Sequence, residues 1–173
     1  MWVLKIIPLF SGLMVSALLL LAQKPMTVTT MDMKTITGCW QGTLTYLDYT
    51  TNKPFSMAAD LEISQLREEG KFIFANIYPK EPKANSFNTV VIASDGKMID
   101  GEYVKSKKRN ADGSLEIITE LTGKDGNDNR AAILRYTYNI GKNIYVHRKD
   151  VQFIGQKEWI KRHEYMYHRK ACK

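Results

Sequence analysis

Three histidines, His147, His163 and His168, crowd the C-terminal part of the chain together with Tyr145, Lys149, Tyr165 and Tyr167. Asp48 lies far upstream, after a run that reads as a first strand. Imidazoles, an amine, a carboxylate and phenols can ligate a metal, move protons or orient a bound molecule. A metal site needs three or four ligands, and haem needs an axial ligand in an enclosed apolar pocket. The chain has no helix-borne histidine pair and only two cysteines, so neither metal nor cofactor is expected. Acid–base chemistry would need Asp48 and His163 to meet as a dyad, for which the plainer reading is a cross-strand ion pair. The serines lack a nucleophile-elbow context and no glycine loop cradles a phosphate, so no catalytic residue is expected. Binding remains, because aromatic walls with a few polar tips suit a small apolar or amphipathic molecule.

Strands must position these residues. Turn signals recur at short spacing: Asn52-Lys53-Pro54, Glu69-Gly70, Asp95-Gly96, Asp112-Gly113, Asp125-Gly126, Gly141-Lys142 and Gly155-Gln156. Between them the apolar residues alternate. Phe55, Met57, Ala59, Leu61 and Ile63 share one face, and Leu115, Ile117, Thr119 and Leu121 oppose Glu116 and Glu120. Period-two patterning with one polar face means antiparallel strands wet on one side. Short turns make a meander, which removes its edges most simply by closing. The expected fold is all-β, an antiparallel meander closing into an eight- to nine-stranded barrel.

Two registers follow. A three-residue loop, Gly155-Gln156-Lys157, sets Asp150 opposite Arg162, Arg148 opposite Glu164, Phe153 opposite Trp159, His147 opposite Tyr165 and Tyr145 opposite Tyr167. Opposed charges and aromatics are favourable cross-strand partners. The two cysteines, Cys39 and Cys172, stand at the ends that a closing barrel brings together, and a directly opposed disulfide sets Gly42 opposite Arg169, Tyr46 opposite Tyr165 and Asp48 opposite His163. The face carrying Trp40 then points inward with Leu44, Tyr46, Asp48, Tyr145, His147, Lys149, Phe153, Trp159, His163, Tyr165 and Tyr167, while Arg148, Asp150, Arg162 and Glu164 face water. Tyr46, Asp48, His147, Lys149, His163 and Tyr165 are the candidate ligand-binding residues. A filled core without a cavity is the other outcome for so small a barrel.

The stretch Gly38-Cys39-Trp40 followed by a long strand resembles the opening of lipocalin-like, or calycin, barrels. The resemblance implies an inward first-strand tryptophan, here Trp40, covered by a basic side chain from the end of the barrel, here Arg169. An arginine over an indole is both a lid and a favourable contact. The family's loop motif between later strands is absent, and Asp125-Gly126-Asn127-Asp128 reads as a plain turn.

Residues 1–22 read as a signal peptide, with Lys5, an apolar run from Ile6 to Leu21, and a cut after Ala22. An uncleaved anchor is the rival reading, but the run is short for a bilayer span and holds Pro8. Residues 23–35 are polar, threonine-rich and aperiodic, and are expected as a loose lead; residues 36–173 are the barrel. The formal net charge is +7. Its densest run, Lys105, Lys107, Lys108 and Arg109, is either a solvated hairpin tip or a contact for an anionic envelope surface. No nucleic-acid partner is expected of an exported chain lacking an aromatic-basic module. The expected function is an exported, periplasmic or extracellular carrier of a small hydrophobic or amphipathic molecule. The alternatives are an envelope interaction module with a filled core and, after it, an enzyme or a haem or metal binder using the barrel mouth.

Overall fold

The computed structural model describes residues 26–172, so the expected signal segment lies outside the described residues. One short helix, α1 (Thr30–Lys34), precedes ten strands: β1 (Gly38–Leu47), β2 (Pro54–Gln65), β3 (Lys71–Ile77), β4 (Ser86–Val91), β5 (Met98–Ile99), β6 (Glu102–Arg109), β7 (Leu115–Asp125), β8 (Arg130–Ile140), β9 (Ile144–Phe153) and β10 (Ile160–Lys170). The count is ten rather than eight to nine. The additional short strand, β5, has two residues, too few to show alternation. The order across the sheet is β4-β3-β2-β1-β10-β9-β8-β7-β6-β5, a meander in which β1 pairs with β10. A bridge between Ile92 and Ile99 brings the two ends of the sheet together, and the barrel is nearly closed.

One end, the floor, is sealed. Trp40 is fully buried and donates from Nε1 to the Ile36 carbonyl at 2.8 Å. Arg169 lies directly opposite Trp40 in the register, with its guanidinium carbon 4.2 Å from the ring centroid. The same guanidinium donates to the carbonyls of Thr35, Thr37 and Lys142. Arg169 thus ties β10, the β8–β9 turn and the residues after α1 around one indole. Cys39 and Cys172 form a disulfide beside it, which is consistent with an exported protein.

The first-to-last register is offset by two residues from the expected one: Cys39 pairs with Lys170, Gly42 with Tyr167 and Tyr46 with His163. The disulfide is therefore not directly opposed. β10 ends at Lys170, and Cys172 reaches back from beyond the strand. A shift of two preserves the side-chain face, so the inward set on β1 and on β10 from His163 onward is as expected. Gly42 is required here, because a Cβ would meet the Met166 carbonyl oxygen at 2.0 Å.

Residues 26–36, expected to belong mostly to a loose lead, are docked against the floor. Thr29 and Asp32 form a reciprocal capping box on α1, and Met33 and Ile36 are fully buried. The Val28 amide donates to the Gly96 carbonyl, and Lys107 donates to Asp32 and to the Thr27 carbonyl. Gly96 has φ +70 and lies so near Val28 that a Cβ would stand 2.5 Å from its carbonyl oxygen. The apolar residues of this segment, Met26, Val28, Met31, Met33 and Ile36, fall two or three apart, and five helical residues are too few for a helical period to be legible.

Candidate functional site

Three tiers of side chains climb the inner wall from floor to mouth across β1, β10, β9 and β8. The lowest runs Gly42, Tyr167, Tyr145, Ile140; the middle Leu44, Tyr165, His147, Tyr138; the upper Tyr46, His163, Lys149, Tyr136. The tiers grow more polar upward. The aromatic rings stack within the tiers, Tyr145 with Tyr167 at 5.9 Å and Tyr138 with His147 at 4.6 Å, and between them, Tyr165 with Tyr167 at 5.6 Å. Burial divides the tiers. Tyr145 and Tyr167 are fully buried, whereas Tyr46, Tyr136, His147, Lys149, His163 and Tyr165 are half-buried though they face inward.

Five of the six candidate residues thus share this wall, and Asp48 does not. β1 ends at Leu47, and the Asp48 carboxylate accepts from the amides of Thr50 and Thr51 and from the Thr51 hydroxyl. A local amide cap outcompetes a cross-strand partner for a short acidic side chain at a strand end. Those bonds hold the Asp48 pKa below its usual value. Trp159 also leaves the lumen. It stacks on the guanidinium of Arg135 at 3.7 Å, on the outward face of β8, because β10 does not begin until Ile160.

A second correction concerns Arg162. The β9–β10 register is as expected from His163 to His168, then shifts between Lys161 and His163. This bulge pairs Asp150 with Lys161, frees Arg162 from the outer face and turns it to the mouth, where its side chain is only 9% exposed. On the outer face, Arg148 bonds Asp150 at 2.7 Å and Lys161 bonds Glu164 at 3.1 Å.

Arg162 Nε donates to Asp125 Oδ2 at 2.6 Å, and Lys149 Nζ donates to Oδ1 at 2.8 Å. The Tyr49 hydroxyl reaches both Asp125 oxygens at 3.3 Å. Asp125 is 6% exposed, and its two cations hold its carboxyl below the usual range against the opposing effect of burial. Asp125 ends an inward alternation through Thr119, Leu121 and Gly123, so carrying period two into the turn would have found it. Continuing the β8 alternation would likewise have found Tyr136 and Tyr138. Nothing in the residue types marks the bulge that delivers Arg162.

Deeper in the wall, Glu102 is buried and accepts from the hydroxyls of Thr119 and Tyr138. Burial pushes its pKa up to about 7 against those bonds. Burial pushes His147 down to about 3; burial and then Lys149 push His163 down to about 4, so both imidazoles are neutral near pH 7. His147 Nε2 and Tyr145 Oη are buried without a hydrogen-bond partner among the described residues. No group of three or more His, Cys, Asp or Glu side chains among the described residues is placed to hold a metal ion.

Two surface clefts, of about 400 and 580 Å³, lie outside the barrel at the floor, one around Val28 and Gly96 and one around Met31, Leu115 and Arg169. In the second, Arg109, Asp32 and Arg169 are already bonded within the protein. The basic run at 105–109 is likewise partly used: Lys107 anchors the N-terminal segment and Arg109 caps its own turn, leaving Lys105 and Lys108 exposed.

No protein-family model matches the chain, and no curated protein does. Among solved structures the chain is similar to the crystal structure of Rv2717c from M. tuberculosis, with a TM-score of 0.49, 11% sequence identity, and coverage of 84% of this chain and 99% of that one.

Proposed function

We infer that this chain is an exported, lipocalin-like carrier, periplasmic or extracellular, that holds a small hydrophobic or amphipathic molecule in the upper half of its barrel. The observation that carries the reading is the half-burial of inward-facing Tyr46, Tyr136, His163 and Tyr165 above a floor whose inward side chains are fully buried. A filled core would bury both levels alike. The orphaned His147 Nε2 supports the same reading, since a buried polar atom without a partner is costly and a ligand atom or a water would relieve it. The stacked tyrosines supply a flat, rigid apolar wall with hydroxyl tips, as at Tyr165, whose hydroxyl meets that of Tyr78 at 2.9 Å.

The test is a titration of N-phenylnaphthylamine, an uncharged hydrophobic probe, into the wild type and into Tyr46→Trp, which adds volume at the upper tier. Saturable wild-type binding lost in the variant is the expected result. Absence of saturable binding to the wild type removes the carrier reading.

A further inference from the structure

We propose that the mouth selects a ligand with an anionic head group, a carboxylate, bound by Arg162 and Lys149 while its apolar body lies along the upper tyrosines. The inference rests on the carrier reading and gives it a chemical class.

Charge and hydrogen-bonding capacity both lead there. Two cations, Lys149 and Arg162, share a single carboxylate, Asp125, so the cluster carries one unbalanced positive charge. Their side chains are only 16% and 9% exposed, so water screens that charge poorly. The other ionisable groups nearby do not balance it. His163 is neutral near pH 7, Asp48 is held in its turn, and Glu102 is buried apart against Thr119 and Tyr138.

The donors are also unequally used. Arg162 donates through Nε alone among the described residues, and the N–H groups on both terminal nitrogens find no protein acceptor. Lys149 Nζ has one acceptor and room for more. Asp125 already accepts from Arg162, Lys149 and Tyr49. The cluster therefore offers donors and asks the ligand for acceptors.

Geometry narrows the choice. Arg162 lies with its guanidinium carbon 4.7 Å from the Tyr49 ring centroid and 5.7 Å from that of Phe153, which restrains the guanidinium. A restrained planar fork with two free ends matches the paired oxygens of a carboxylate. Arg130 lies over the same Phe153 ring at 4.1 Å and adds to the excess of positive charge, which a carboxylate would offset.

The experiment compares dodecanoate, 1-dodecanol and dodecylammonium by calorimetry at pH 7.5, each below its micellar concentration, on the wild type and on Arg162→Gln, Lys149→Gln and Arg162→Lys. Charged hydrogen bonds of this kind predict dodecanoate binding roughly tenfold to a hundredfold tighter than dodecanol. Arg162→Gln should remove that preference, and Arg162→Lys should restore part of it. Equal affinity for dodecanoate and dodecanol, or tighter binding of dodecylammonium, overturns the head-group assignment while leaving the carrier reading intact. If none of the three binds, the carrier reading falls and this inference falls with it. The wild-type comparison stands without any variant, so a variant that fails to fold does not shield the proposal.

Discussion

The floor and the mouth of this barrel are built from similar residue types to different ends. At the floor, Trp40, Tyr145 and Tyr167 are fully buried, the disulfide and Arg169 tie three segments together, and every Arg169 nitrogen has an acceptor. At the mouth, tyrosines again line the wall, now with histidines, yet they are half-buried, and the arginine there leaves both terminal nitrogens without a protein partner among the described residues. An arginine that satisfies carbonyls closes a structure. An arginine that faces inward with donors to spare leaves a site incomplete until something else arrives. The use of each side chain's hydrogen-bonding capacity, more than its type, separates support from recognition.

If the floor is structural, its substitutions should cost stability. Trp40→Ala should cost about 3–5 kcal/mol in denaturant unfolding, from lost burial and the cavity left behind. Wild-type stability in that variant would break the distinction at once. Replacing both cysteines with serine should cost about 2–4 kcal/mol, since the bridge closes a long loop; peptide mapping of the oxidised protein should recover Cys39 and Cys172 linked.

The interior between floor and mouth should show itself in pH dependence. Glu102 has a raised pKa in the fold, so it favours the folded state at low pH and loses that contribution as pH rises from about 4.5 to about 7. His147 and His163 have depressed values, so their contribution is complete above pH 6.5 and is lost as pH falls towards 4 and 3. Two histidines outweigh one glutamate between pH 4.5 and 6.5, so wild-type stability should rise with pH there and peak near 6.5. In Glu102→Gln the rise should steepen, with a gain over wild type of roughly 1–3 kcal/mol above pH 7. Thermal melts across that range check it, and a variant that tracks the wild type at every pH would place Glu102 in water. Smallest of all, Tyr165→Phe at the mouth removes one hydroxyl pair with Tyr78 and should cost about 0.5–1.5 kcal/mol, with its larger effect on ligand binding.

The floor was the more legible half. Trp40 and Arg169 meet as the resemblance implies, Cys39 bonds Cys172, and Tyr145 opposes Tyr167. Regular strands propagate parity, so even a two-residue offset left the inward face of β1 intact. The mouth is where regularity ends. Asp48 is captured by its own turn, Trp159 precedes its strand, and Arg162 sits on a bulge that reverses its side. Those outcomes depend on local backbone geometry that residue types alone leave open. Asp125 is the exception, since it closes an unbroken alternation that the turn-forming glycine beside it masks.

The most direct test of the division is an NMR titration of N-phenylnaphthylamine into the full-length protein, following the aromatic side chains. The account predicts saturable shifts at Tyr46, Tyr136, His163 and Tyr165, with the Trp40 indole N–H and the Tyr167 ring unmoved. Shifts at Trp40 and Tyr167 of the same size as those at the mouth, or shifts confined to outward-facing residues, would contradict it.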